Sequence, residues 1–268
     1  MKTLTMNDGR QIPTLGYGTY RLGDGVATMV ADALATGYRH IDTAAVYDNE
    51  VGVGRGIAAS GLARRDVFVT TKLWNADQAN PAAALAASLE RLGLEWVDLY
   101  LIHWPVPTLH RYVAAWEALI ELREQGLAKS IGVSNFYAAV LDDLAPTGVV
   151  PAVNQVEKHP TYANRATVEA NTSRGILTEC YSPLGRARDL AEPVLGIIGA
   201  RVGASPAQVV LAWHLARNHV VIPKTADPVR LRENFEAAEV RLTDNDLAAI
   251  DALDRGNRLG SDPASFVG

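Results

Sequence analysis

The chain has 268 residues, 48% hydrophobic and 21% charged, with a formal net charge of −5. That length suits one large globular domain over residues 1–268, and an acidic balance without any Lys/Arg-rich block argues against nucleic acid as a partner. One cysteine, Cys180, excludes an internal disulfide and a thiolate metal cluster; no apolar run nears the roughly 18 residues of a membrane span and the start lacks a signal-peptide core, so a cytoplasmic monomer is expected.

The first element is a hairpin signal, Asn7-Asp8-Gly9 between two short β-prone pieces, read as a plug ahead of the main fold. Apolar strand candidates then follow at residues 15–18, 38–42, 67–73, 97–103, 128–134, 153–156, 177–182 and 220–223. Between them run amphipathic helical stretches at 26–36, 50–60, 82–92, 112–125, 137–144, 167–174, 205–216 and 229–237. Asn80-Pro81, Ser205-Pro206 and Asp227-Pro228 place a capping side chain before a proline suited to the first helical turn, and Ser205 with Gln208 fits a capping box. Gly37, Gly61, Gly93, Gly126 and Gly175 stand where helices should stop.

Strict alternation of eight strands with helices leaves a closed (β/α)8 barrel or an open doubly wound sheet. The count favours the barrel, and no Gly-x-Gly-x-x-Gly follows the first strand. Gly52, Gly54 and Gly56 lie within a helical stretch and read as close-packing positions.

Active-site groups of a barrel come from the C-terminal ends of its strands. Those ends carry Asp42, Lys72 and His103 on three consecutive strands, with Tyr47 in the second loop. A period of two puts Tyr38, His40 and Asp42 on one face, and a buried carboxylate there needs a partner, for which Lys72 is available. Lys72 beside Asp42 stays charged and should draw the Tyr47 phenol down toward the working range, while a neutral His103 orients a substrate oxygen. Together they suit protonation of an oxygen that gains negative charge, as when hydride adds to a carbonyl.

These residues resemble the aldo-keto reductase superfamily, from Leu15-Gly16-Tyr17-Gly18-Thr19 to about Leu253. The resemblance rests on Gly37-Tyr38-Arg39-His40-Ile41-Asp42-Thr43-Ala44, Thr71-Lys72-Leu73-Trp74, Leu101-Ile102-His103-Trp104-Pro105, Ile131-Gly132-Val133-Ser134-Asn135-Phe136 and Ile222-Pro223-Lys224-Thr225. It is strongest toward short bacterial 2,5-diketo-D-gluconate reductase-like members. It implies a (β/α)8 TIM barrel with the hairpin capping its bottom, and a catalytic tetrad of Asp42, Tyr47, Lys72 and His103. It also implies NADPH as cofactor and no metal.

For NADPH/NADP+ the resemblance points to Gly18, Thr19 and Asp42, to Ser134, Asn135 and Gln155 at the carboxamide, and to Tyr181 on the nicotinamide face. Ser182 and Leu184 run beside the pyrophosphate. Pro223, Lys224, Thr225 and Arg230 hold the 2′-phosphate end, with Glu233 and Asn234 near the adenine. A lysine, a hydroxyl and an arginine at a helix start also suit a phosphate dianion on physical grounds. Tyr20 stands where many members have tryptophan, and Thr225 where many have serine. A short loop over residues 104–112 and a short polar tail suggest an open substrate pocket walled by Tyr20, Tyr47, Trp74, His103 and Trp104.

The expected reaction is NADPH-dependent reduction of an aldehyde or ketone to an alcohol, with Tyr47 as general acid. The other readings are a catalytically weak NADPH-binding regulatory subunit, a Schiff-base lyase using Lys72, and a metal hydrolase using His40, Asp42 and His103.

Overall fold

The computed structural model describes residues 2–267. Strands β1 (Thr3–Thr5) and β2 (Gln11–Pro13) pair antiparallel, with Gly9 at φ +84° in the turn between them. Met6 and Ile12 of this hairpin are buried with Phe68, Val153 and Val220, each the first residue of a barrel strand. The hairpin thus plugs the N-terminal end of the barrel, and burial of that apolar surface holds it there.

Eight parallel strands follow: β3 (Tyr17–Gly18), β4 (His40–Asp42), β5 (Phe68–Leu73), β6 (Val97–Ile102), β7 (Ala128–Ser134), β8 (Val153–Glu157), β9 (Leu177–Tyr181) and β10 (Val220–Val221). Each pairs with the next in chain order. The sheet closes where Gly16 N donates to Val221 O at 2.8 Å and Gly18 N to Pro223 O at 3.1 Å. A side chain at Gly18 would come within 2.9 Å of Ile222 O, so this seam needs glycine for its close approach. The result is the expected (β/α)8 barrel.

Strand β4 is shorter than its hydrophobic pattern suggests. Tyr38 does not share a face with His40: its ring packs against Phe235 at 5.0 Å between centroids, and its hydroxyl donates to Leu231 O at 3.2 Å. His40 instead turns inward, with Nε2 3.0 Å from Thr70 Oγ1.

The helices are α1 (Val26–Thr36), α2 (Glu50–Ala59), α3 (Pro81–Leu92), α4 (Tyr112–Glu124), α5 (Ala138–Asp142), α6 (Arg165–Ser173), α7 (Pro193–Val202), α8 (Pro206–Ala216), α9 (Pro228–Glu236) and α10 (Asp244–Asp251). Ser205 makes its capping box and Asp227 accepts from Val229 N, whereas Asn80 makes no side-chain cap and Pro81 alone marks that start. Glycines buy close contact in α2: a Cβ on Gly54 would lie 2.1 Å from Leu92 O, and one on Gly56 2.5 Å from Ala27 O. Helices α7 and α10 had no counterpart in the hydrophobic pattern; with α8 they build a separate apolar cluster around Leu195, Trp213 and Ile250.

Candidate active site

Strand β5 is buried along its whole length, and Lys72 near its C-terminal end is fully buried. Its Nζ donates to Asp42 Oδ1 and Thr43 O, both at 2.7 Å, and to the Tyr47 hydroxyl at 3.4 Å. All three ammonium hydrogens therefore have an acceptor. Asp42 ends β4, and its other oxygen accepts from Gln155 Nε2 at 2.7 Å. Tyr47 closes the short 3-10 turn Ala45–Tyr47 just after that strand.

Burial opposes the charge on Lys72, but Asp42 and Tyr47 more than offset it and raise its pKa overall. The Tyr47 phenol departs from the sequence expectation. Burial raises it, and although Lys72 pulls it down, the balance stays above the ordinary value. Tyr47 is thus firmly protonated and reaches the phenolate only when its proton is taken.

His103, just past β6, is buried and held well below the usual histidine range by burial and by Lys72. Its neutral ring stands edge-on to Tyr47 (centroids 5.8 Å) and Trp74 (5.2 Å), and its Nδ1 has no hydrogen-bond partner. His40, Asp42 and His103 do not converge as metal ligands, because Asp42 is saturated by Lys72 and Gln155 and His40 turns to Thr70.

The residues expected around the carboxamide meet at the ends of β7, β8 and β9. Asn135, in the left-handed region at φ 64°, donates to His103 O and Ser134 Oγ, both at 3.0 Å, and accepts from the Tyr181 hydroxyl at 2.8 Å. Ser134 Oγ donates to Gln155 O at 2.8 Å. Gln155 Nε2 is committed to Asp42 and to Glu179, the latter at 2.9 Å, so its amide has only Oε1 left to offer a ligand. Thr19 is tied to Asp42 O at 3.0 Å beside Gly18, while half-exposed Ser182 and Leu184 flank the top of β9.

At the other end, Lys224 and Arg230 are exposed at the top of β10 and the start of α9, beside Thr225 and next to Pro223. Thr225 is fixed by Tyr17, whose hydroxyl donates to its carbonyl at 2.5 Å. Among the described residues Arg230 pairs only loosely, with Asp227 at 3.9 Å, so it and Lys224 are open to a phosphate. Glu233 is engaged by the Ser205 hydroxyl and Asn234 is buried.

The aromatic residues singled out from the sequence lie together: the ring of Tyr20 is 4.9 Å from that of Tyr47, and Trp74 and Trp104 flank His103 at 5.2 and 6.5 Å. Short as the tail is, it returns to this end of the barrel, where the ring of Phe266 lies tilted 4.3 Å from that of Trp104.

Glu179 was not foreseen as part of this site. A glutamate inside an otherwise apolar strand is the same signal that singled out Asp42, and it applied equally to residues 177–182.

Both the sequence and the barrel have counterparts among known proteins. Residues 14–255 match the model of the aldo/keto reductase family. The chain is 46% identical to an aldo-keto reductase of Mycolicibacterium smegmatis, covering 98% of this chain and 97% of the relative. It is 45% identical to methylglyoxal reductase DkgA of Yersinia pestis, covering 98% and 96%. Among solved structures, a mutant of Gox0644 in complex with NADPH superposes with a TM-score of 0.95 at 40% identity, covering 99% of this chain and 98% of that one. The Bombyx mori aldo-keto reductase in complex with NADP gives 0.91 at 34%, covering 97% and 95%. The chain therefore belongs to the aldo/keto reductase family, NADPH-dependent oxidoreductases that act on carbonyl groups.

Proposed function

We propose that this protein reduces a small aldehyde or dicarbonyl of the methylglyoxal type to an alcohol, with Tyr47 as the general acid. NADPH, when bound, supplies the hydride. The reading rests most on one observation, that Lys72 bridges Asp42 and the Tyr47 hydroxyl. As the carbonyl oxygen gains charge, Tyr47 gives up its proton, and Lys72 stabilises the phenolate left behind. Asp42 holds Lys72 in place, and neutral His103, edge-on to Tyr47, orients the carbonyl. A lysine with every hydrogen engaged and a raised pKa is a poor Schiff-base nucleophile, which disfavours a lyase.

Lys224 and Arg230 supply the charge for a 2′-phosphate, Thr225 a hydroxyl, and Gln155 Oε1 an acceptor for a carboxamide N–H. The substrate class is supported by the likeness to methylglyoxal reductases and by the small aromatic mouth formed by Tyr20, Trp74, Trp104 and Phe266.

The test is NADPH oxidation with methylglyoxal by the wild type and by Tyr47→Phe. Turnover should fall by about a thousandfold or more in the variant, within the usual span of a general acid and its coupled electrostatics, while NADPH still quenches tryptophan fluorescence. Near-normal turnover in Tyr47→Phe would sink the mechanism.

A further inference from the structure

Behind the tetrad lies a second buried acid that the reaction as described does not use. Glu179 sits mid-strand in β9 and is fully buried. Its Oε2 accepts from Gln155 Nε2 at 2.9 Å, and the same nitrogen donates to Asp42 Oδ2 at 2.7 Å. An amide nitrogen carries two hydrogens, so one reaches each carboxyl and the side chain cannot rotate without breaking both bonds. Among the described residues Glu179 Oε1 finds no hydrogen-bond partner, and His40 Nε2 stands 3.6 Å away.

Two carboxylates bridged by one amide, with one buried cation, Lys72, bonded to Asp42, cannot both be charged cheaply. With Glu179 neutral, Asp42 and Lys72 balance; with Glu179 ionised, an uncompensated negative charge is buried behind Tyr47. We propose that Glu179 is a positioning residue for the Asp42, Lys72 and Tyr47 set: as a neutral acid it locks Gln155 against Asp42, and its ionisation slows the reduction. This rests on the reading of Tyr47 as proton donor, because added negative charge disfavours the phenolate that proton transfer leaves behind.

Apart from Asp42, the surrounding groups stay clear of the Glu179 titration window. Burial, then the charge of Asp42, push Glu179 up to about 8. On β4, burial holds His40 down to about 3, so it stays neutral. Lys72 on β5 and Tyr47 beyond it are both raised, and Cys180 on β9 itself is pushed up to about 12 by burial. Burial raises Asp42 as well, against the pull of Lys72 and of the Gln155 amide, so it titrates together with Glu179. The Asp42–Glu179 pair therefore shares one proton that it loses under mildly alkaline conditions, and Glu179, which lacks the Lys72 ion pair that favours a charged Asp42, is the side that holds it.

The experiment compares wild type with Glu179→Gln, which keeps an acceptor for Gln155 and cannot ionise, and with Glu179→Leu, which removes the acceptor. Wild-type kcat with methylglyoxal should fall about tenfold from pH ~7 to pH ~9, as expected for one group titrating midway, and Glu179→Gln by less than about twofold. Glu179→Leu should lose about tenfold in kcat already at neutral pH, and if it does not fold Glu179→Gln alone decides. A second readout needs no turnover: in cofactor-free protein with 13C-labelled carboxyl groups, the Asp42 resonance should inflect with Glu179 in the wild type and not in Glu179→Gln. An alkaline fall retained in Glu179→Gln, or an Asp42 resonance that titrates identically in both proteins, overturns the proposal. A wild type that oxidises no NADPH with any carbonyl overturns the reductase reading instead, and the Asp42 resonance then decides on its own whether Glu179 governs Asp42.

Discussion

Lys72 Nζ lies 2.7 Å from Asp42 Oδ1, with side chains 0% and 2% exposed, so the pair has no recourse to water if it is broken. Replacing one partner leaves a buried charge uncompensated, which costs about 3–5 kcal/mol. Asp42→Asn should show that loss in urea denaturation. The double variant Asp42→Leu with Lys72→Met should recover most of the stability and none of the activity. A single variant as stable as wild type would mean the pair is not buried in solution.

Phe266 touches Trp104 from the tail, and in the proposed reaction this contact would wall the substrate mouth. Losing such an aromatic pair is worth about 1 kcal/mol, roughly fivefold in an equilibrium constant. Phe266→Ala should raise KM for the carbonyl by about that factor and change kcat little. Steady-state kinetics with KM unaltered would remove the tail from the pocket.

His159 is buried between two acids, with Nδ1 2.8 Å from Asp189 Oδ2 and Nε2 3.2 Å from Glu157 Oε1. Only the doubly protonated ring donates to both. Burial works against that charge, but the two carboxylates raise the His159 pKa overall, while burial is likewise outweighed for Glu157 and Asp189, which are lowered. The histidine's contribution to stability is fully present below its unfolded value of about 6.5 and is lost as pH rises through the raised folded value. The acids contribute above their unfolded values of about 4 and lose it as pH falls through their lowered ones. Glu157 also accepts the Leu259 and Gly260 amides, so the tail is tied to the same cluster. Hydrogen-exchange protection factors at those two amides should drop in alkaline buffer, and His159→Gln should lower them at neutral pH. Protection unchanged in that variant would disprove the coupling.

Two glycines in helices should respond to alanine with opposite signs. Gly54→Ala pushes a methyl against the Leu92 carbonyl, a backbone atom that cannot swing aside, and should cost about 1–3 kcal/mol. Gly196→Ala in α7 meets nothing within 4 Å and should gain about 0.5–1 kcal/mol from lower chain entropy. Thermal melts of both variants decide it, and equal shifts would contradict the packing.

The barrel was legible because eight apolar strands and their helix stops repeat in order, and Asp42, Lys72 and His103 because ionisable residues at strand ends are conspicuous. What stayed hidden depended on distance in the chain. The hydroxyl of Tyr38 finds its acceptor 193 residues away, which no periodicity foretells. Helix α7 contains Gly196 and Gly199, which blunt a helical pattern. The raised Tyr47 phenol follows from burial, a quantity absent from the residue types themselves. Phe266 sits in a polar tail, and its destination is set by Glu157 gripping Leu259 and Gly260.

The seam between Gly16, Gly18 and residues 221–223 joins the first barrel strand to the last. During synthesis the first barrel strand must wait, one edge unpaired, for a partner made some two hundred residues later. Until then its exposed backbone is open to pairing with another chain. Lys224 and Thr225 follow that seam directly and Tyr17 ties to it from the other side. A dinucleotide laid along the mouth of the barrel would therefore bridge the last joint to close, acting as a fastener for the finished ring as well as a reactant within it.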